Sequence, residues 1–489
     1  MNRHLPALLF LVPLIAAISL PVVCLRHRAW SRPIAVTVLV LMVGLSVLNL
    51  TNIFQHGEVR YAFSGWAPPL GIEWVADGLA SVILVTLSLL GLTTLLFAGP
   101  TAPKDLGGRI VHFYTLILLL ISALTGIVFA GDLFNLFVFL ELAALASYAL
   151  VGVAGGKALM AAFRYLILGT LGASLYLLGV SYFYAATGTL NMVDMAEKLP
   201  HLLTSKAVVG GLLFMFIGLG IKMALVPFHA WLPDAYTYAP ESVSPILAAL
   251  VTKVALLGWV RIIFWVLGAK VVVYDTPVLL LAGVLGALAA IIGAVLALTQ
   301  SDLKRMFAYG GISHIGIIII GVSQGNQTGF VGGVFYLLND AVMQAALFFI
   351  AGWAISQYGV RTLDEVGRIG KHSPWLTGTL VVVAMGMIGL PPTGGFFGKW
   401  YIILGALEAN NYFAVGAVLL STLLTLAYFV KIFERIFRHI SAPSEVQPVE
   451  TPIQIKLSLG ATAFAVIILG LLSDPIVDAL IRHALPPEL

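Results

Sequence analysis

Residues 211–260 read GLLFMFIGLGIKMALVPFHAWLPDAYTYAPESVSPILAALVTKVALLGWV. Two apolar runs flank a stretch that holds Pro227, Pro233 and Pro240. Proline cannot continue a helix, because it has no N–H and its ring meets the preceding turn. Lys222 stands near the end of the first run and Lys253 well inside the second. A lysine at the centre of a membrane helix costs about 2.5–3.5 kcal/mol on insertion scales, so such a residue faces a cavity and serves transport. Irregular backbone at membrane depth is tolerated only where protein or water satisfies the freed groups. The stretch therefore reads as two membrane segments broken beside a polar path.

Composition agrees. The chain has 489 residues, 60% hydrophobic and 10% charged, with a mean hydropathy of +1.03. So little charge cannot cover a water-soluble fold of this length. The net charge of +4 implies no nucleic-acid partner, because the basic residues cluster at helix ends; the expected surroundings are a lipid bilayer. The single cysteine, Cys24, excludes an intrachain disulfide or a CxxC site and reads as helix packing. The stretch LPALLFLVPLIAAISLPVVCL is followed by RHRAWSR with no small-residue cleavage site, so it is expected to be a retained first helix.

An all-α polytopic membrane protein is expected, with about fourteen transmembrane segments at roughly 5–25, 33–53, 74–98, 110–130, 132–154, 160–186, 207–227, 241–265, 277–299, 302–322, 328–355, 375–407, 412–437 and 454–480. The seventh is interrupted by the three prolines. The twelfth is interrupted by GLPPTGGFFGKW, with Pro391, Pro392, Gly394 and Gly395. These breaks lie five segments apart, so segments 4–8 and 9–13 read as two five-helix units, the second inverted. Paired discontinuous helices in corresponding positions point to a transport site. The expected division is 1–106, N-terminal helices; 107–266, a first half-channel; 267–440, a second; and 441–489, a C-terminal helix. Lysines and arginines are more frequent in the odd-numbered loops, which places those loops in the cytoplasm and both termini outside the cell membrane. The longest polar connection, RHISAPSEVQPVETPI at 438–453, reads as a loop rather than a domain.

Several residues could carry protons. Glu141, in FNLFVFLELAALASYAL, has no lysine or arginine three or four positions away, so its partner must come from another helix. Lys222 is the obvious one, near a helix end whose free carbonyls favour an ammonium. Lys399 follows the second break as Lys222 precedes the first. It is expected to reach water there and to exchange protons with the outside or with a neighbouring subunit. Lys304, in QSDLKRMFAYGGISHIG, reads either as a path residue or as a lysine snorkelling to the cytoplasmic interface. His314 lies deeper and suits a relay or simple packing. Asp340 and Gln344 share one helix face and can meet the same polar axis. His229 could cap the first break or carry protons. Asp132 reads as a helix N-terminal charge. No phosphate-binding loop, dinucleotide motif or histidine pair spaced for haem or zinc occurs, so neither cofactor nor metal is expected.

These stretches, together with DLFNLFVFLELAALASYALVG and PFHAWLPDAY, resemble the antiporter-like membrane subunits shared by respiratory complex I, membrane-bound hydrogenases and Mrp sodium/proton antiporters. The resemblance covers residues of about 70–440 and is highly specific. It implies that Glu141, Lys222, Lys253 and Lys399 line a polar axis. It implies partner subunits, protons as cargo and Na⁺ as a candidate cargo. Lys399 and length make the D-type Mrp subunit the nearest likeness, with complex I N-type and hydrogenase subunits left open. Lys399 speaks against the M-type subunit, for which the resemblance implies a glutamate there, and a long C-terminal extension like that of the L-type or large Mrp A-type subunit is not expected. Related subunits often have histidine and lysine where this chain has Asp340 and Gln344. The implied function is an ion-translocating subunit of a cation/proton antiporter, not an enzyme. The alternatives are a pumping subunit of a redox-driven complex and a structural subunit with an idle channel.

Overall fold

The computed structural model describes residues 4–438 and 450–489; most of the polar connection expected at 438–453 lies outside the described residues. Helices α1 (Leu5–Val23), α2 (Ser31–His56), α3 (Gly78–Leu106), α4 (Ile110–Phe129), α5 (Leu133–Gly152) and α6 (Lys157–Thr187) come first. α7 (Lys206–Lys222) and α8 (Leu232–Tyr238) are the halves of the first broken segment. α9 (Ser244–Val266), α10 (Val278–Thr299), α11 (Leu303–Val322) and α12 (Gln327–Tyr358) follow. α13 (Pro374–Ile388) and α14 (Gly394–Glu408) are the halves of the second, and α15 (Tyr412–Arg438) and α16 (Ile453–Leu471) complete the bundle. Among the described residues, 11 helical stretches are long and apolar enough to cross a membrane, one of them being α3 and α4 read through. With the two broken segments these are the crossings expected from the sequence, in the expected order.

Three features differ from that expectation. Between α2 and α3 lies a hairpin, β1 (Val59–Ala62) antiparallel to β2 (Glu73–Ala76), with Val59 opposite Ala76. Its strands are four residues each, the shortest run in which alternation can be read, and only β1 alternates in burial. The last expected segment, 454–480, stops at Leu471, and Ser473-Asp474-Pro475 starts a new helical turn, proline being well placed at a helix start. A third interruption occurs inside α9, where Leu247–Val251 and Ile262–Val266 widen to π-helical turns. Nothing in SPILAALVTKVALLGWVRIIFWV announces them, because apart from Pro245 at the helix start it reads as one continuous apolar helix.

The two five-helix units share a joint that the sequence hides. Asp132 caps α5 by accepting from Asn135 N at 2.8 Å, and Asp302 caps α11 by accepting from Arg305 N at 3.0 Å. Asp132 also bridges to Asn191, in the loop after α6, and Asp302 bridges to Thr362, in the loop after α12. Leu133 N donates to Leu190 O and Leu303 N to Arg361 O, both at 3.0 Å. Neighbouring helices meet in the same order in both units. Gly172 and Gly218 bring α6 against α7: a methyl on Gly172 would stand 3.0 Å from the Gly218 carbonyl. Such close backbone approach lets membrane helices pack without a hydrophobic driving force.

α9 and α12 are the central pair. The most apolar 18-residue window of each is wholly buried inside the protein. Charges on these helices are therefore surrounded by protein, which is what permits them.

Candidate ion-transfer site

Lys222, Lys253 and Lys399 each sit where a helix has been opened or widened. α7 ends at Lys222, and Ala224 in the following turn takes a left-handed φ of 56°. Lys222 Nζ donates to Glu141 Oε1 of α5 at 2.7 Å, with side-chain exposures of 8% and 24%. The Ile221 carbonyl at the helix end accepts from Trp231 Nε1 at 2.8 Å, which closes the break. The cross-helix pair expected from the sequence is thus present in the geometry.

Lys253 lies just past the first widened stretch of α9. Its Nζ donates to the Ala248 carbonyl at 2.7 Å, a group within the widened stretch. The same Nζ is 2.8 Å from Asp340 Oδ2 of α12, and Asp340 Oδ1 is 3.1 Å from His314 Nδ1 of α11. Both contacts are ion-pair approaches rather than aligned hydrogen bonds. All three side chains are nearly water-free, Asp340 and His314 having no exposed surface at all. Tyr336 OH lies 2.8 Å from His314 Nδ1, and the ring of Tyr336 lies 5.9 Å from Lys399 Nζ. Tyr336 therefore bridges this cluster to the next. Gln344, one turn past Asp340, does not join it: its amide lies against Gly311.

Lys399 lies on α14, just past the second break. Its Nζ donates to Met387 O at 2.8 Å, Ile388 O at 3.2 Å and Thr422 Oγ1 at 3.2 Å. The two carbonyls are at the C-terminal end of α13, where partial negative charge favours a cation. Gly389, at φ 86°, makes the turn there, a conformation few side chains allow. Lys399 is 4% exposed, so the expectation that its ammonium reaches water directly is not met. The carbonyls take water's place.

Lys304 does not snorkel either. It is 1% exposed, and its Nζ donates to Ala239 O at 2.7 Å and to Glu241 Oε2 at 2.9 Å. Arg361 stands 3.9 Å from the other Glu241 oxygen, and Ser242 N donates to Asp105 Oδ2 at 3.2 Å. The end of the first break, APES, folds over the start of α11. Glu241 is not among the site residues expected from the sequence; the only signal for it is an acid directly after Pro240 in a broken helix. His229 is half-buried in the first break, edge-on to Tyr309 at 6.5 Å, and enters none of these ion pairs. Asp132 is a helix cap, as its position at the start of α5 suggests.

Glu241→Ala should leave the Lys304 charge buried with one carbonyl. Losing one partner of a buried pair costs about 3–5 kcal/mol, so the assembled subunit should fall sharply in membrane extracts. Glu241→Gln with Lys304→Met should restore its amount. An unchanged level in Glu241→Ala would show that the pair does not hold the break in place.

The geometry has counterparts in known proteins. A sequence profile described as NADH:quinone oxidoreductase/Mrp antiporter, TM, matches residues 130–425, which include every ion pair just described for the central row. The chain belongs to this NADH:quinone oxidoreductase/Mrp antiporter family. Within the family it is 39% identical to the N-type subunit of a NADH-quinone oxidoreductase of Desulforudis audaxviator, over 99% of each chain. It is 30% identical to the D-type subunit of a Na(+)/H(+) antiporter of Alkalihalophilus pseudofirmus, over 97% of this chain and 95% of that one. A chain of the membrane-bound sulfane sulfur reductase, an archaeal respiratory membrane complex, superposes with a TM-score of 0.90 at 29% identity, over 98% of this chain and 96% of the other. The resemblance read from PFHAWLPDAY and the lysines is therefore to the right family.

Proposed function

We propose that the chain moves protons across the membrane as one subunit of a multisubunit complex, most simply a monovalent cation/proton antiporter. The observation that carries this reading is the row of buried ionisable groups Glu141·Lys222, Lys253·Asp340·His314 and Lys399, on helices that pack side by side. Lys253 has both a carboxylate and a backbone carbonyl within reach, Lys222 has the Glu141 carboxylate, and Lys399 has the carbonyls of the second break. An ammonium that leaves its carboxylate among apolar side chains must find another partner or give up its proton. Charge can thus pass along the row by partner exchange, with no covalent chemistry on this chain. Residues 107–266 and 267–440 form the two half-channels of this reading, flanked by 1–106 and 441–489. The hairpin and both termini lie outside a bacterial or archaeal cell membrane.

The need for partners follows from Glu141. It shares a face of α5 with Phe134, Val138 and Leu145, which are 45%, 43% and 56% exposed. A carboxylate on such a face cannot be left to hydrocarbon. A neighbouring subunit covering the face would shield it and could exchange charge with it.

A second reading couples the same row to electron transfer in subunits elsewhere. It is favoured by the 39% identity to the N-type oxidoreductase relative. The test uses the complex purified on this chain and reconstituted in vesicles. A sodium gradient should drive proton flux without an electron donor. Flux only with an electron donor would move the chain to the second reading, and no flux under either drive would end both. Expressed alone, the chain should restore no sodium resistance to antiporter-deficient cells; full complementation would show that it needs no partners.

A further inference from the structure

Asp77 and Arg261 form a buried ion pair that the row above does not use. Arg261 Nη1 and Nη2 donate to the two Asp77 oxygens at 2.9 and 2.8 Å, a fork that fixes the carboxylate in orientation. The Arg261 side chain is 5% exposed and that of Asp77 15%. Asp77 also caps α3, accepting from Ala80 N at 2.8 Å. The guanidinium lies 5.5 Å from the centre of the Trp265 ring, and Arg261 Nε has no partner among the described residues. The open side of Asp77 faces a cavity of about 350 Å³ at the hairpin end of the protein, which Glu58 and His483 also line.

On the inner side of the pair lies a second space of only about 10 Å³. That is close to the least a single water needs. Its walls are apolar and include Leu79 and Ile83 of α3, Leu257 and Val260 of α9, Ile318 of α11 and Leu337 of α12. Their positions along the chain share one property. Leu79 and Ile83 follow Asp77 into α3. Leu257 and Val260 lie between Lys253 and Arg261, a separation of about 12 Å along the helix axis. Ile318 is one turn past His314, and Leu337 is one turn before Asp340. Four helices therefore place their apolar residues between the Lys253·Asp340·His314 cluster and the hairpin-end cavity.

We infer that this neck is a hydrophobic gate, and that the Asp77·Arg261 pair is the door through which protons pass between the buried cluster and the hairpin face. An apolar constriction of this width excludes water and so blocks proton movement; a few added waters would connect its two ends. A proton crossing a wetted neck would be taken by the Asp77 carboxylate, which Arg261 holds at the mouth, and released to the cavity as the fork closes again. The inference rests on the proposed proton-carrying role of the cluster.

The test uses the whole complex in vesicles under an imposed pH gradient, with neither sodium gradient nor electron donor. Leu257→Ser adds a hydroxyl and space to the neck and should raise passive proton leak roughly tenfold. Adding Asp77→Asn should remove most of that leak. A leak that Asp77→Asn leaves unchanged would come from damaged packing and would overturn the assignment, as would an assembled Leu257→Ser complex with no leak. Water access is read separately, from Val260→Cys in a Cys24→Ser background. A small membrane-impermeant thiol reagent applied at the hairpin face should label it only when Leu257→Ser is also present. Equal labelling in both would refute the gate. This second readout does not depend on protons, so it can fail or succeed whatever becomes of the proposed function.

Discussion

Glu141→Ala is expected to abolish proton flux through the reconstituted complex while the complex still assembles. The substitution removes the carboxylate that pairs with Lys222, 2.7 Å away. Lys222 is 8% exposed and would keep its charge without a carboxylate, so a stability loss of about 3–5 kcal/mol is expected as well, and flux must be read per assembled complex. The transport cost should be nearly complete, because the row loses the carboxylate that holds the Lys222 ammonium. Glu141→Asp keeps the charge and shortens the reach, and should retain part of the flux. Lys222→Ala should match Glu141→Ala in flux. The two losses together should be no worse than either alone, since both act on one pair. The measurement is sodium- or donor-driven acidification in vesicles, normalised to assembled complex. Wild-type flux in assembled Glu141→Ala vesicles would make the pair structural.

What the sequence makes legible here is whatever costs most to bury. A lysine in an apolar run or a proline pair at membrane depth has few explanations, so Glu141, Lys222, Lys253, Lys399 and both broken segments can be read directly. Their partners are harder. Asp77 and Arg261 are 184 residues apart, and Lys304 and Glu241 come from different segments, so no spacing rule joins them. Three of the lysines rest on backbone carbonyls of Ala239, Ala248, Met387 and Ile388, and a carbonyl carries no side-chain signature. The wide turns in α9 are invisible for the same reason. Lys304 shows the consequence: its position near a helix start suggests snorkelling, but the folded-back first break buries it. Tyr336 and Thr422 look like ordinary helix residues until the fold sets one against His314 and the other against Lys399.

The second large effect is expected at Asp340, the carboxylate that joins Lys253 to His314. Its two oxygens stand 2.8 Å from Lys253 and 3.1 Å from His314, and it has no exposed surface. Asp340→Asn keeps the shape and removes the charge. Lys253 would then be a buried cation held by the Ala248 carbonyl alone, a loss of about 3–5 kcal/mol by analogy with other broken buried pairs. Both thermal stability and flux should therefore fall, and a flux loss alone would not separate the causes. The double substitution Asp340→Asn with Lys253→Met does separate them. Replacing both charges by groups of similar volume should return the stability of the assembled complex to near the original, since paired removal of buried ions is often neutral. Flux should stay absent, because the middle of the row now holds only His314. If the double variant regains flux along with stability, Lys253 and Asp340 are a structural pair and protons travel elsewhere. If Asp340→Asn alone keeps full flux, the carboxylate is not a station, and the row would have to run from Lys222 to Lys399 without it.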